Sequence, residues 1–568
     1  MHAKETKHSK KNVNPILKVS KNLPQPLGIF MSKPFNPLQD NHGKGVFEVA
    51  KSNAHVGMEI AAVAALTPDR VAITFGSEKI SFRQLNQLAN QIAHRLLRAG
   101  ITAGDAVALL CSNRIEFVAV RFACHRIGVR LTPVNWHLAP EEAAYIIDNC
   151  DAKVLFADAR VKQAAIIAAQ HSQQLIVKVS IGGEIDNFDQ WNTLKKEDAE
   201  NISQPVLGNT MLYTSGTTGK PKGVYREQPD PSKAADMQAI LTAVFQFDTE
   251  SGLDQALTPG PMYHSGPFNL CMTTPLTSGI GIVLMDKWDP EDTLKLIEQH
   301  KISHAFFVPT MFVRMLKLDQ AIKDQYSISS LKFVIHGAAP CAMETKQAML
   351  DWFGPIIWEM FAGTEGPGTI VSPQDWLAKP GTVGKPGPDQ IRILDGDGQP
   401  VEGSTPGQLF LINPPNSQFN YYKDPTKTES TVKNGYFTAG DIGYLDKDGF
   451  LFLTGRSAEV IISGGVNIYP QEIDNILIKH DEVADAACIG VPNDEWGEEV
   501  KAVVQLKSGR IASAELTQQL IEFTAKHLAK QKTPRSIDFI DELPRNQAGK
   551  VQRKKLRDSY WPTQQTII

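Results

Sequence analysis

Tyr213-Thr214-Ser215-Gly216-Thr217-Thr218-Gly219-Lys220-Pro221-Lys222-Gly223-Val224 decides how the rest of the chain is read. Its twelve positions hold three glycines, four Ser or Thr hydroxyls and two lysines, directly after the lead-in Thr210-Met211-Leu212. Glycine lets the backbone turn with its N–H groups inward, and such nests bind anions. Hydroxyls add donors, and lysine adds a point charge suited to phosphate. Gly/Ser/Thr-rich text by itself also fits a flexible polar loop. A linker, however, has no use for Pro221-Lys222-Gly223 running into an apolar strand. Nor is this the usual P-loop, because Gly219-Lys220 is followed by Pro221 and not by the magnesium-binding Ser or Thr of that motif. The stretch predicts a phosphate cradle of another kind.

Outward from it, the chain of 568 residues is too long for one compact domain, and length alone suggests about three or four units. With 42% apolar and 21% charged residues and a formal net charge of −4, it reads as soluble and globular, with no electrostatic case for nucleic acid. Six scattered cysteines without a C-x-x-C pair indicate ordinary thiols of a reducing, cytoplasmic compartment. No run of about 18 apolar residues predicts a transmembrane segment, which leaves only peripheral membrane contact open. Residues 1–45 differ. Lys4, Lys7, Lys10 and Lys11 precede Pro24, Pro26, Pro34 and Pro37, with no apolar core behind the charges. That composition predicts a disordered extension rather than a secretory signal, and Glu5 with the lack of arginine speaks against a transit peptide.

From about Ala50 the text alternates. Apolar residues at 85, 88, 89 and 92 mark a helix running to Gly100, and 105–111 reads as a buried strand. A helix at 117–123, a strand at 130–134, a helix at 140–149 and a strand at 153–157 follow. After the cradle the alternation resumes with strands at 280–285, 305–308 and 332–336 and a helix at 290–300. Such alternation predicts α/β units with mostly parallel sheets. Beyond Gly381, Asp395-Gly396-Asp397-Gly398 and Asp446-Lys447-Asp448-Gly449 are hairpin-type turns, predicting a small antiparallel part up to about Gly455. Residues 458–568 read as strand, helix, strand and helix.

The cradle resembles the signature loop of the adenylate-forming enzymes, the superfamily of acyl-CoA synthetases, peptide-synthetase adenylation domains and beetle luciferases. Further stretches match that pattern in order over residues ~55–557. The resemblance implies an α/β fold with a large N-terminal domain at 46–457, made of two mostly parallel α/β subdomains plus a small β subdomain. A small mobile α+β C-terminal domain would occupy 458–568. It also implies roles. Thr214, Ser215, Gly216, Thr217, Thr218, Gly219 and Lys222 would cradle the phosphates of ATP. Gly337, Ala338 and Ala339, in Gly337-Ala338-Ala339-Pro340, would border adenine; without the other motifs this is an ordinary strand-end turn. Trp358-Glu359-Met360-Phe361-Ala362-Gly363-Thr364-Glu365 resembles the Tyr-Gly-x-Thr-Glu loop. There Phe361 would stack on the base beside Ala362 and Gly363, Thr364 would touch the α-phosphate, and Glu365 with Thr214 would hold Mg2+. Phe361 keeps the aromatic face but lacks a phenol hydroxyl, and a Thr-Glu pair alone would be a surface turn. Asp441, in Thr438-Ala439-Gly440-Asp441, would bind the ribose with Arg456 assisting.

Lys550, in Pro544-Arg545-Asn546-Gln547-Ala548-Gly549-Lys550, resembles the lysine that drives adenylation, whereas Lys554, Lys555 and Arg557 read as solvated charges. Ser463, Gly464 and Gly465 fit the glycine loop that closes over coenzyme A in relatives. Two residues beyond Arg456, at the hinge, stands Ala458 where the family usually has Asp or Lys.

The implied reaction has two halves: a carboxylate attacks the α-phosphate of ATP, and a thiol then displaces AMP. Fixed donors and cations aimed at the phosphoryl oxygens lower the first barrier, and the small domain rotates between the halves. Lys550, His264, Thr214 and Glu365 are the catalytic candidates. Tyr263 and His264 resemble the aromatic-His segment beside the acid, and Phe268, Phe307 and Met311 fall where relatives line the acyl pocket. Apolar residues in strands are core by default. Because no charged residue stands out to bind an α-amino group, the expected acid is apolar: a medium- or long-chain fatty acid, a steroid side-chain acid or an aryl acid. A ligase passing its acyl-adenylate to a separate carrier protein is the main alternative. Luciferase-type oxidation and a catalytically silent relative stand behind it, the latter opposed by the presence of Lys550 and Glu365. The chain ends eleven residues after Arg557, which predicts no fused carrier.

Overall fold

The computed structural model describes residues 33–39, 41, 43–214, 221–227, 230–415, 418–463, 466–493, 496–546 and 549–561. Among these residues the strands form five sheets. The all-parallel one has the order Arg130–Val134, Ala106–Leu110, Ala152–Asp158, Val177–Ile181, Asp189–Gln190. Its strand Ala106–Leu110 is buried throughout, as a parallel sheet covered on both faces requires. The larger sheet runs Thr369–Val371, Ile357–Phe361, Phe333–Gly337, His304–Phe307, Gln255–Thr258, Gly281–Leu284, Val71–Phe75, Glu78–Ser81. Its six inner strands are parallel, and only the two edges pair antiparallel.

The helices that cover these sheets carry their start signals in sequence. Phe82–Arg98 begins with a reciprocal capping box between Ser81 and Gln84. Pro290–His300 has proline in its first turn, and the Asp289 carboxylate accepts from the N–H groups of Glu291 and Asp292.

Two antiparallel sheets complete the large domain. Leu212–Thr214 pairs with Lys222–Arg226, which pairs with Phe419–Tyr421. The other spans Thr382–Gly384 to Leu451–Arg456, with the 446–449 turn closing the hairpin Asp441–Leu445/Leu451–Arg456. The C-terminal segment holds the fifth sheet, in which the long hairpin Val483–Asn493/Gly497–Leu506 is central and Ser536–Ile540 adds in parallel. This segment holds more strand than expected. The second strand of each hairpin, Val466–Ile468 and Gly497–Leu506, is additional because a hairpin reads as one apolar run, and so are the strand Ser536–Ile540 and the helix Arg553–Asp558.

Part of the expected extension is folded. Phe35 and Leu38 pack on the core, the Phe35 N–H donates to the Ile202 carbonyl at 3.3 Å, and Asn53 donates to the Pro37 carbonyl at 3.0 Å. Residues 1–32 lie outside the described residues. Among the described residues no helix is long and apolar enough to cross a membrane.

Candidate active site

The two parallel sheets point the C-terminal ends of their strands at one cavity of about 2250 Å³, the location at which open α/β sheets take ligands. Buried Asn113, just beyond Ala106–Leu110, fixes the two sheets together there. Its Nδ2 donates to the carbonyls of Gly260 (2.9 Å) and Met285 (3.0 Å), and its Oδ1 accepts from the Met262 N–H at 2.9 Å. The antiparallel sheet and the C-terminal segment close the cavity from the other side.

One wall collects the residues expected for a nucleotide. Phe361 ends the strand Ile357–Phe361, and a turn from Ala362 and Gly363 carries Thr364 and Glu365 to the wall. Arg226 holds that turn by donating to the carbonyls of Thr364 (2.9 Å) and Glu365 (2.8 Å). The Tyr421 hydroxyl donates to Glu365 Oε1 at 3.0 Å. On the adjacent strand, a Cβ on Gly337 would meet the Met360 carbonyl at 2.6 Å, so only glycine fits there. Ala338 sits at φ +69°, a left-handed conformation that costs an L-residue about 1–2 kcal/mol. Ala338 and Ala339 both line the cavity. Backbone strain of this kind collects at ligand sites.

Thr214 lines the cavity at the end of Leu212–Thr214, and so does Lys222, whose ammonium also pairs with Asp424 at 2.9 Å. Ser215, Gly216, Thr217, Thr218 and Gly219 lie outside the described residues. Asp441 and Arg456 face each other across the paired strands, 3.0 Å apart. Beside them comes Lys550, from the C-terminal segment. Its loop is tied by the Asn546 Oδ1 to the Lys550 N–H at 2.9 Å, with Gly549 at φ +75° against the Thr310 side chain. Burial, and secondly Arg456, pull the Lys550 pKa down to about 8, while Asp441, Glu459 and Glu365 oppose the shift. The structure therefore brings Thr214, Phe361, Thr364, Glu365, Asp441, Arg456 and Lys550 to one cavity.

The adjoining wall is aromatic. Tyr263 and His264 follow the strand Gln255–Thr258, joined by Phe306, Met311, Trp136 and Trp288. His137 stacks on Trp136 at 3.5 Å and meets Tyr263 edge-on at 6.5 Å. Burial draws the His264 pKa down to about 4, so the ring is neutral at pH 7. Its Nε2 is buried without a hydrogen-bond partner among the described residues.

Two expected acyl-pocket residues are elsewhere. Phe268 is in the core against Phe117 (6.4 Å) and under Arg121 (5.5 Å), because the π-helical turn Pro267–Thr273 rotates it away. Phe307 is fully buried against Phe312 (5.9 Å). Strand parity explains it: successive side chains point to opposite faces, so Phe306 takes the cavity side and Phe307 the core. Ser463 pairs with Val466 and Gly497 in the C-terminal sheet, away from the cavity lining, and Gly464 and Gly465 lie outside the described residues. Arg226, Tyr421 and Asn113 carried no signal in the sequence, since each acts through a partner distant along the chain.

The family model for "AMP-binding enzyme" matches residues 60–422, and that for "AMP-binding enzyme C-terminal domain" matches 472–550. The chain belongs to the AMP-binding enzymes. Among curated members, indoleacetate–CoA ligase of Aromatoleum aromaticum is 32% identical over 504 residues, covering 87% of this chain and 96% of the relative. The 2-succinylbenzoate–CoA ligase of Geobacillus kaustophilus is 32% identical over 507 residues, covering 88% and 97%. Among solved members, ATP-bound MatB from Rhodopseudomonas palustris superposes with a TM-score of 0.78 at 26% identity, covering 89% of this chain and 99% of that one. The o-succinylbenzoate CoA synthetase of Bacillus subtilis, in complex with its acyl-adenylate, gives 0.73 at 26% identity, covering 88% and 98%. The large N-terminal and small C-terminal parts of this AMP-binding enzyme are thus those of the adenylate-forming superfamily.

Proposed function

We propose that this AMP-binding enzyme is an ATP-dependent carboxylic acid:CoA ligase, an acid–thiol ligase releasing AMP and pyrophosphate, and that its acid is aromatic. The observation that carries the reading is the meeting of Lys550 with Asp441, Arg456 and Glu365, in the same cavity as the neutral His264 ring, whose Nε2 has no hydrogen-bond partner among the described residues. One acid oxygen attacks the α-phosphorus of ATP; the P–O bond to the β-phosphate breaks and pyrophosphate leaves. Lys550, charged below about pH 8, offsets the negative charge growing on the α-phosphoryl oxygens. Phe361 supplies the face for the base, and Asp441 accepts from the ribose hydroxyls. The neutral His264 ring donates to or accepts from the acid without adding charge. The thiol sulfur of coenzyme A then attacks the acyl carbon, the acyl–O bond breaks and AMP departs.

Glu365 and the Thr214 hydroxyl fit Mg2+. Both line the cavity, and one carboxylate with hard oxygen neighbours, completed by substrate phosphates, is the usual donor set. Bound there, the ion would neutralise phosphate charge. The aromatic acid is supported by the wall of Trp136, Tyr263, Trp288 and Phe306 and by relatives that act on indoleacetate and 2-succinylbenzoate. These relatives speak for the aryl alternative over the fatty or steroid acid expected from apolarity alone.

The test measures AMP and thioester formation with ATP, Mg2+ and a panel of acids, with and without coenzyme A, using Lys550→Ala as control. Aryl-CoA lost in the variant is the expected result. A panel won by fatty acids overturns the acid assignment, and acyl-adenylate untouched by coenzyme A moves the acceptor to a carrier protein.

A further inference from the structure

Glu365 and Thr214, the two side chains that fit Mg2+, lie far apart in sequence, and one small sheet sets both. Its strands are Leu212–Thr214, Lys222–Arg226 and Phe419–Tyr421, and the first of them ends at Thr214. The other two strands grip the turn that carries Glu365. Arg226 fixes the main chain, donating from one guanidinium nitrogen to the carbonyls of Thr364 (2.9 Å) and Glu365 (2.8 Å). Tyr421 fixes the side chain, its hydroxyl donating to Glu365 Oε1 at 3.0 Å. The other oxygen, Oε2, has no hydrogen-bond partner among the described residues, and it lies over Gly363, where an added Cβ would stand 3.1 Å away. One carboxylate oxygen is thus held, and one is left for a ligand.

Tyr421 is itself braced. Its ring is buried and meets Phe419 edge-on at 5.4 Å. Its N–H donates to Thr428 Oγ1 at 2.9 Å, and that hydroxyl donates to the Asp424 carbonyl at 2.9 Å, where the helix Pro425–Thr431 begins. The Asp424 carboxylate pairs in turn with Lys222 on the middle strand. Strand pairing, helix cap and ring packing therefore all place the phenol.

We propose that Tyr421 is a positioning residue for adenylation: its hydroxyl holds the Glu365 carboxylate in the orientation that, with Thr214 on the same sheet, takes the metal of the nucleotide. The assignment rests on the ligase reading and on Glu365 and Thr214 as the Mg2+ donors. Hydrogen bonds to a ligating carboxylate fix its direction, and their loss costs about 10–100-fold in metal affinity or activity. A hydroxyl does this without adding charge, whereas a lysine or arginine in its place would offset the carboxylate's attraction for the ion. A tyrosine that merely filled the core would stabilise the protein and leave metal-loaded and metal-free nucleotide equally bound.

The experiment uses calorimetry to compare binding of α,β-methylene-ATP, with Mg2+ and without it in EDTA, to wild type and Tyr421→Phe. That variant keeps the buried ring and loses only the hydroxyl. The expected result is a Kd for the Mg2+-loaded analogue raised about tenfold or more, an unchanged Kd for the metal-free analogue, and an unchanged KM for the acid in ATP–pyrophosphate exchange. Added to Glu365→Gln, the same substitution should weaken the loaded analogue no further, because the hydroxyl acts through that carboxylate. Equal weakening of both forms, no weakening, or a full extra loss in the Glu365→Gln background overturns the assignment. A Glu365→Gln variant that binds loaded and metal-free analogue as wild type does overturns the metal placement and this assignment together. A wild type that adenylates no acid, yet shows the hydroxyl-dependent binding of the loaded analogue, overturns the ligase reading and supports this assignment.

Discussion

Lys550 gives a quantitative handle on the first half-reaction. Free lysine titrates at 10.5, and burial in the cavity brings Lys550 down to about 8. Keeping it charged there therefore costs ~3 kcal/mol more than in water. The sign follows: protonated Lys550 dominates below pH 8 and is lost above it, so kcat/KM for ATP, which reports on free enzyme, should fall tenfold per pH unit above about 8. Once ATP is bound, its phosphates favour the ammonium, and the corresponding limb in kcat should move to higher pH. Lys550→Arg keeps a charge that does not titrate in this range and should remove the limb, at a lower rate because the guanidinium is bulkier. Lys550→Ala should cost about 10²–10³-fold, the scale of one lost transition-state donor. The assay is ATP–pyrophosphate exchange from pH 6 to 10 with the best acid of the panel. A profile flat to pH 9.5 in the wild type, or Lys550→Ala retaining a third of the rate, would refute the reasoning.

Gly549→Ala puts a Cβ on a φ of +75° and against the Thr310 side chain, so it should slow adenylation tenfold or more while sparing thioester formation from supplied acyl-adenylate. Ala338→Gly relieves the left-handed strain and should stabilise the protein by about 1 kcal/mol, read as a higher midpoint in urea. Phe307→Ala should cost about 3–5 kcal/mol of stability, because the ring is wholly buried, whereas Phe306→Ala, at a buried ring that also lines the cavity, should both destabilise the protein and reorder the acid panel. His264, neutral above its pKa of about 4, should leave no limb near pH 6.5 in the rate of adenylation.

What could be read in advance divides along physical lines. Buried strands such as Ala106–Leu110 and helices begun by proline, such as Pro140–Asn149 and Pro290–His300, announce themselves because their causes are local. Phe361, Glu365, Asp441 and Lys550 were legible through motif order, and the cavity collects them. Side-chain parity was not. Phe306 and Phe307 are chemically identical neighbours, and only the pairing of His304–Phe307 with Phe333–Gly337 decides which ring meets the cavity. The same holds for Lys222, whose partner Asp424 lies two hundred residues away. Residues 35–38 misled through composition, since their prolines and polar neighbours concealed two apolar anchors.

Asn113 has a consequence for how this site could diversify. One amide carried by the all-parallel sheet clamps backbone atoms of the larger sheet beside the cavity, so the walls cannot part without breaking three buried hydrogen bonds. The spacing between the halves is therefore a constant of the scaffold. New acids are accommodated by exchanging rings on walls whose separation is fixed, and the reacting carboxylate keeps its distance from the phosphate wall whatever tail it carries.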